Sequence, residues 1–119
     1  MKVERGPDCG NSPKNAFAAD VAVALLAADA KALDAVLAPD ARLQFVRRGS
    51  AEDRPAAVSA PPFGAPRAIE IQTVATHGRA GAVSGVLRTS SGLQHFCLVL
   101  RFASAKADRV ASVQAYLPT

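Results

Sequence analysis

Glu70 is the side chain of this sequence whose type and position best suit acid–base chemistry. It lies near the start of a β-rich run, and alternation along a strand places it with Gln72 on the face that carries apolar residues. A carboxylate buried on such a face has a raised pKa and can act as a general base. The alternative is that Glu70 is exposed at the strand end. No second acid or base completes a catalytic constellation, so the sequence leans against an enzyme.

The histidines and the second cysteine do not form a recognisable site. His95 and Cys97 lie two apart on one strand, but no further ligands accompany them, and no metal site is predicted. Cys97 as a nucleophile would need an adjacent base, for which His95 is the nearest group, whereas buried thiols are usually inert. His77 is expected at a strand end or an interface. No glycine-rich turn opens a helix, so no nucleotide cofactor is predicted.

Length, composition and charge argue against several classes of function. The chain has 119 residues, which fits one domain. Its net charge of +4 is scattered, and it has one Tyr and no Trp, so nucleic-acid binding is not expected. The polar start and the short apolar runs predict neither a secretory signal nor a membrane contact. Cys9 and Cys97 lie far apart and are expected to be free thiols, which favours the cytoplasm.

Capping residues and periodicity predict two helices near the N-terminus. Residues 1–11 are polar and are expected to form an arm. Ser12 can cap a helix over 13–28, because its hydroxyl accepts from free backbone amides and the proline that follows needs no donor. Asp29 caps a second, shorter helix, which Pro39 ends because the residue before a proline resists helical angles.

Alternating apolar residues and turn signals predict an antiparallel sheet after the helices. The short turns between the later strands are typical of hairpins. The Pro-rich stretch 50–67 is predicted to be a loop, since it can form neither a long helix nor a central strand. Residues 1–119 are thus expected to be a single α+β domain. The predicted strands are Ala41–Arg47, Ile69–His77, Ala82–Arg88, Leu93–Phe102 and Arg109–Leu117.

Carrying the alternation across even-length turns separates two faces of this sheet. The apolar face should lie under the helices. The other mixes apolar and polar groups, and no third layer is available to cover it. We therefore expect it to be a homodimer interface, most simply around a two-fold axis. Members of the inner face are predicted to be Glu70, Gln72, Val74, Thr76, Val83, Gly85, Leu87, Gln94, Phe96, Leu98, Leu100, Ala111, Val113, Ala115 and Leu117. The outer face is predicted to include Ile69, Ile71, His77, His95, Cys97, Val99, Arg101 and Tyr116.

The order of elements and four short motifs resemble the nuclear transport factor 2-like (NTF2-like) superfamily, which includes ketosteroid isomerase and the SnoaL-like cyclases. The detailed similarity is to small bacterial members of unassigned function, and it is interrupted over about 50–67. The motifs are Asp8-Cys9-Gly10-Asn11-Ser12-Pro13-Lys14-Asn15, Thr76-His77-Gly78, Gly81-Ala82-Val83-Ser84-Gly85 and Phe96-Cys97.

The resemblance implies a cone-shaped α+β fold, commonly dimeric, with helices on the concave face of a curved antiparallel sheet and a cavity between them. It does not imply one function, because this fold hosts enzymes, ligand binders and interaction modules. An aromatic residue is usual in the group where this chain has Leu43, and an acidic residue where it has Leu98. Both positions would face the cavity, so the pocket is expected to be less polar here.

Three functions follow from these observations. The first is binding of a small, mainly apolar molecule in the cavity, with Glu70 and Gln72 as its polar contacts. The second is an isomerase-like or SnoaL-like enzyme that uses Glu70 as general base. The third is a protein-interaction module whose cavity is filled by its own side chains. The apolar walls of the predicted cavity are Phe17, Leu43, Phe45, Phe96, Leu98 and Leu100.

Overall fold

Both helices begin at the capping residues that the sequence predicts. In the computed structural model, which describes residues 1–7, 9–54, 60–106 and 108–116, helix α1 spans Pro13–Ala27 and α2 spans Ala30–Val36. The Ser12 hydroxyl accepts a hydrogen bond from the backbone amide of Asn15 at 3.1 Å. The Asp29 carboxylate caps α2 in the same way. In the described part of the chain, neither helix has the length and apolar character needed to cross a membrane.

Seven strands form one open, curved sheet, and the helices cover one of its faces, so the predicted α+β architecture is confirmed. The spatial order is β1-β4-β5-β6-β7-β2-β3, with two parallel pairs, β1 with β4 and β2 with β7. The strands are β1 (Lys2–Arg5), β2 (Leu37–Arg47), β3 (Ser50–Arg54), β4 (Ala68–His77), β5 (Ala80–Thr89), β6 (Gly92–Phe102) and β7 (Val110–Tyr116).

A bulge in β4 reverses the faces of its first half. Ile69 pairs with Leu87 and Ile71 with Gly85, but the register then shifts, so that Thr73 rather than Gln72 is the next paired residue. One extra residue in a strand exchanges the two faces on one side of the bulge. Ile69 and Ile71 are therefore buried under the helices, while Glu70 and Gln72 are exposed. The prediction that placed Glu70 and Gln72 inside and the two isoleucines outside is wrong, although Val74 and Thr76 follow it.

Gly85 is the partner that makes room for this bulge. A Cβ at this position would overlap the carbonyl oxygen of Glu70 and lie 3.1 Å from Cζ of Phe96. The backbone of β4 therefore presses on β5 where β5 has no side chain. An isolated glycine inside a strand pattern is the signal of a bulge or a close backbone approach.

Two edge strands occur where the sequence analysis expects none. β1 lies in the predicted arm 1–11, and β3 lies at the start of the predicted loop 50–67. Every residue of both strands is exposed, so neither carries the apolar alternation from which a strand is predicted. Their pairing rests on backbone hydrogen bonds to β4 and β2. Part of the predicted loop, 55–59, lies outside the described residues.

The specific N-terminal motif has a structural role. Asn15 accepts a hydrogen bond at its Oδ1 from the Thr76 hydroxyl at 2.6 Å, and its Nδ2 donates to Asn11 at 2.9 Å. The Lys14 ammonium donates to the Gly78 carbonyl at 3.3 Å. These contacts pin the start of α1 to the end of β4, which explains why two of the motifs lie together in space.

Candidate functional site

The predicted wall residues do meet under the helices, but they are packed against one another. Five of the six have between 0% and 4% of their surface exposed, and Phe17 is half-buried with its ring centroid 6.1 Å from that of Phe102. A cavity that admits water would leave accessible area on the side chains lining it. The interior at these positions is therefore filled by protein, at the density usual for a core. The five are Leu43, Phe45, Phe96, Leu98 and Leu100.

Both ends of the Pro-rich segment add to this packing, through Phe63 and Arg54. Phe63 lies edge-on to Phe45, with ring centroids 6.3 Å apart. The guanidinium carbon of Arg54 lies 4.6 Å from the centroid of the same ring, within range of a cation–π contact. Phe63 and Arg54 thus cover Phe45, which is 3% exposed.

In the described part of the chain, the inner face leaves no buried polar side-chain atom unpaired. No buried side-chain nitrogen or oxygen there lacks a hydrogen-bond partner. Glu70 and Gln72, which the sequence analysis assigns as polar contacts, point away from the interior because of the bulge. Small-molecule sites combine an open apolar space with a few convergent polar groups. The predicted residues provide neither the open space nor the polar groups.

The outer face, which the helices do not cover, carries the remaining candidate residues. Cys97 pairs across the sheet with Ser84 on β5 and with Tyr116 on β7, and its thiol is free. His95 lies on the same face and is exposed. Among the described residues, no three His, Cys, Asp or Glu side chains come close enough together to hold a metal ion.

Large apolar side chains are exposed on this outer face. Leu93, Val99 and Tyr116 are all more than a third exposed, and Val86 lies among them. Register places them on β5, β6 and β7, three neighbouring strands. We call this group, together with Cys97, the outer patch. Exposed apolar side chains on one sheet face make the outer patch a candidate interaction surface, although Val86 itself is only 8% exposed.

Two grooves with charged residues lie at opposite ends of the outer face. One, of about 300 Å³, runs along the β1 side and includes part of the outer patch. It is lined by Lys2, Glu4, Ala68, Ile69, Glu70, Val86, Arg88 and Leu93. A hydrogen bond and the charge of Glu4 raise the pKa of the exposed Lys2 amine. The other groove, of about 410 Å³, lies across β6, β7, β2 and β3 and is lined by Arg42, Gln44, Asp53, Arg101, Ser112, Val113 and Gln114.

Neither groove is predicted from the sequence, because each uses an edge strand without alternating apolar residues. Lys2 and Glu4 belong to β1, and Asp53 belongs to β3. One signal was available for the second groove. Gly49, with a φ of 76°, follows Arg48 in a two-residue turn between β2 and β3, and such a turn is a hairpin signal.

Comparison with known proteins identifies the fold and no activity. No protein-family model matches the sequence, and no curated protein matches it significantly. An NTF2-like protein of unknown function from Burkholderia xenovorans LB400 superposes with a TM-score of 0.66 at 12% identity, over 88% of this chain and 82% of that chain. A DUF4783 family protein from Bacteroides ovatus ATCC 8483 gives 0.60 at 13% identity, over 83% of this chain and 93% of that chain.

A third neighbour, an NTF2-like protein of unknown function from Silicibacter pomeroyi DSS-3, gives a TM-score of 0.52 at 14% identity, over 86% of this chain and 90% of that chain. Likeness at such low identity establishes the fold alone. The chain has the NTF2-like fold, and the resemblance stated from its motifs is confirmed at that level.

Proposed function

We propose that this protein is a non-catalytic interaction module that works as a homodimer through the outer face of its sheet. The proposal rests on a contrast between the two faces of the sheet in the solvent exposure of their apolar side chains. The inner face, where this fold can hold a ligand, is packed to near-zero exposure, whereas the outer face leaves Leu93, Val99 and Tyr116 in contact with solvent. Free thiols at Cys9 and Cys97 support a cytoplasmic location.

The outer face is large enough for a stable pair. Strands β4 to β7 and β2, at about 4.8 Å spacing and with about eight residues each at about 3.3 Å, present roughly 600 Å² of sheet. Two such faces together bury roughly 1,200 Å², which is the lower limit for a specific protein–protein interface. Two copies of this face alone reach that limit, so the second copy is the partner that we propose.

Replacing Val99 with Glu should convert the dimer to a monomer. Val99 lies in the outer patch, so the new carboxylate would be desolvated in the contact without a partner. That desolvation costs several kcal/mol, and the dimer Kd should rise about 100-fold or more. Sedimentation equilibrium over a concentration series measures this directly.

Val3→Glu is the matched control, because Val3 has the same exposed fraction as Val99, 37%, but lies on β1 at the sheet edge. It should leave the Kd unchanged. A second readout uses Cys97, the middle residue of β6, which is the fourth of the seven strands. A short bis-maleimide should link two copies through Cys97, and Cys97→Ser should abolish the link while the buried Cys9 stays unreactive. A wild-type protein that is monomeric at all concentrations would contradict the proposal.

A further inference from the structure

One row of side chains at the end of the outer face combines two arginines with a hydroxyl. Ser112 on β7 is paired directly with Arg101 on β6 and with Arg42 on β2. Directly paired residues project from the same face, so the three side chains form a line across three strands. Both guanidinium groups can reach over the serine between them, because the flanking strands lie only about 4.8 Å to either side of it.

We infer that this row is a binding site for an oxyanion, a carboxylate or phosphoryl group carried by a small molecule. The groove that surrounds it has a volume of about 410 Å³, which is sufficient for a small ligand. Planar guanidinium groups bind carboxylate and phosphate oxygens through paired hydrogen bonds, and a serine hydroxyl between them adds a third donor.

The positive charge of the groove is only partly neutralised by the protein. In the described part of the chain, no carboxylate lies within 4.0 Å of the Arg101 guanidinium, and the Ser112 hydroxyl makes no hydrogen bond. Arg42 has a single carboxylate partner, Asp53, at 3.9 Å, with both side chains mostly exposed. An exposed ion pair of that length contributes little. The two arginines and one aspartate leave a net charge of +1 facing the ligand.

The next row of the groove is held in a fixed orientation. The Tyr116 hydroxyl donates to Gln114 at 3.4 Å, the Gln114 amide donates to Gln44 at 3.0 Å, and the Gln44 amide donates to Asp53 at 3.3 Å. This chain of hydrogen bonds also holds the Asp53 carboxylate towards the edge strand, away from Arg101. Val99 is paired with Gln114 and belongs to this second row, whereas the oxyanion would lie over the first.

The site differs from the proposed dimer contact and can be tested separately. It lies at the rim of the outer face, so it is complete within one copy and needs no residue from a partner. The groove at the other end of the face is not equivalent to it, because its Lys2 is already paired with Glu4 at 2.9 Å. That difference provides a control on the same sheet face.

Titration with inorganic phosphate and with benzoate, followed by backbone amide chemical shifts of the full chain, tests the inference. The titrations are run at low ionic strength because salt screens exposed sites. Saturable shifts should cluster at Ser112 and its neighbours. Arg101→Gln should weaken the tighter-binding probe at least about tenfold, since it removes the guanidinium that has no competing carboxylate. Saturation by phosphate alone would identify a phosphoryl ligand, and saturation by benzoate alone a carboxylate.

Arg88→Gln is the matched control, because it removes the same charge from the other end of the same face. It should change the affinity less than about twofold. Equal weakening by Arg101→Gln and Arg88→Gln would show attraction to net charge rather than a site, and would overturn the inference. Shifts that rise linearly without saturation for both probes would also overturn it. Leu93 belongs to the outer patch but lies eight residues from Arg101 along β6. Leu93→Glu should therefore weaken the dimer and retain the affinity for the oxyanion, which separates this site from the dimer contact.

Discussion

Gly85→Ala is expected to destabilise the protein by about 3 kcal/mol, which corresponds to a fall in Tm of about 10 °C or more. The added methyl group would occupy the space of the Glu70 carbonyl oxygen, which is backbone and cannot rotate away. Either the bulge at Gln72 must shift or the pairing of β4 with β5 must open. Thermal and urea unfolding followed by circular dichroism measure the loss.

Gly10→Ala makes the same chemical change where a Cβ would meet nothing within 4 Å. Its effect on the free energy of unfolding should be below about 1 kcal/mol in either direction, since there it acts mainly on the unfolded chain. The expectation fails if Gly85→Ala unfolds at the temperature of Gly10→Ala. In that case the close approach of the two strands is not a constraint on the fold.

Leu98→Ala is expected to lower the free energy of unfolding by about 3 kcal/mol, within the range for buried leucines. Leu98 lies at the middle of the inner face with 0% of its surface exposed. Truncation would leave an unfilled space between the sheet and α1. A leucine that lines an open ligand cavity would cost much less, because it has fewer contacts to lose. The measurement therefore distinguishes a filled interior from an empty one.

The comparison for this variant is Leu93→Ala, the same truncation at a residue that is 55% exposed. It should change stability by less than about 1 kcal/mol, and both variants are compared at one protein concentration because dimer formation contributes to stability. A loss at Leu98 no larger than that at Leu93 would favour a ligand cavity and would count against the interaction module.

The features that local chemistry determines could be predicted from the sequence. Ser12 and Asp29 cap the helices as expected, because a capping side chain needs only its own first turn. The inner positions of β6 follow alternation without error, since its turn with β5 keeps the register even. The fold is predicted from the resemblance of the motifs, and the structural neighbours have the same fold.

The candidate site could not be predicted, because it depends on one backbone irregularity and two strands without a pattern. The bulge at Gln72 places Glu70 outside. The alternation Ile69-Glu70-Ile71-Gln72 already favours buried isoleucines, but the parity carried back from the later strands assigns the opposite faces. Gly85 on the next strand also indicates a bulge or a close backbone approach, but the sequence does not show which residue lies opposite it. The groove at Ser112 depends on β2 lying beside β7, a pairing between strands more than sixty residues apart that no local pattern specifies.

The bulge also determines how this lineage can change. Loss of the single codon for Gln72 would restore simple alternation in β4 and exchange the four residues before it, 68–71, between the two faces. Glu70 would then enter the interior, Ile69 and Ile71 would move to the surface, and the space opposite Gly85 would become free. An interior closed to polar ligands and one that holds a carboxylate are thus separated by one in-frame deletion, without any change of residue identity.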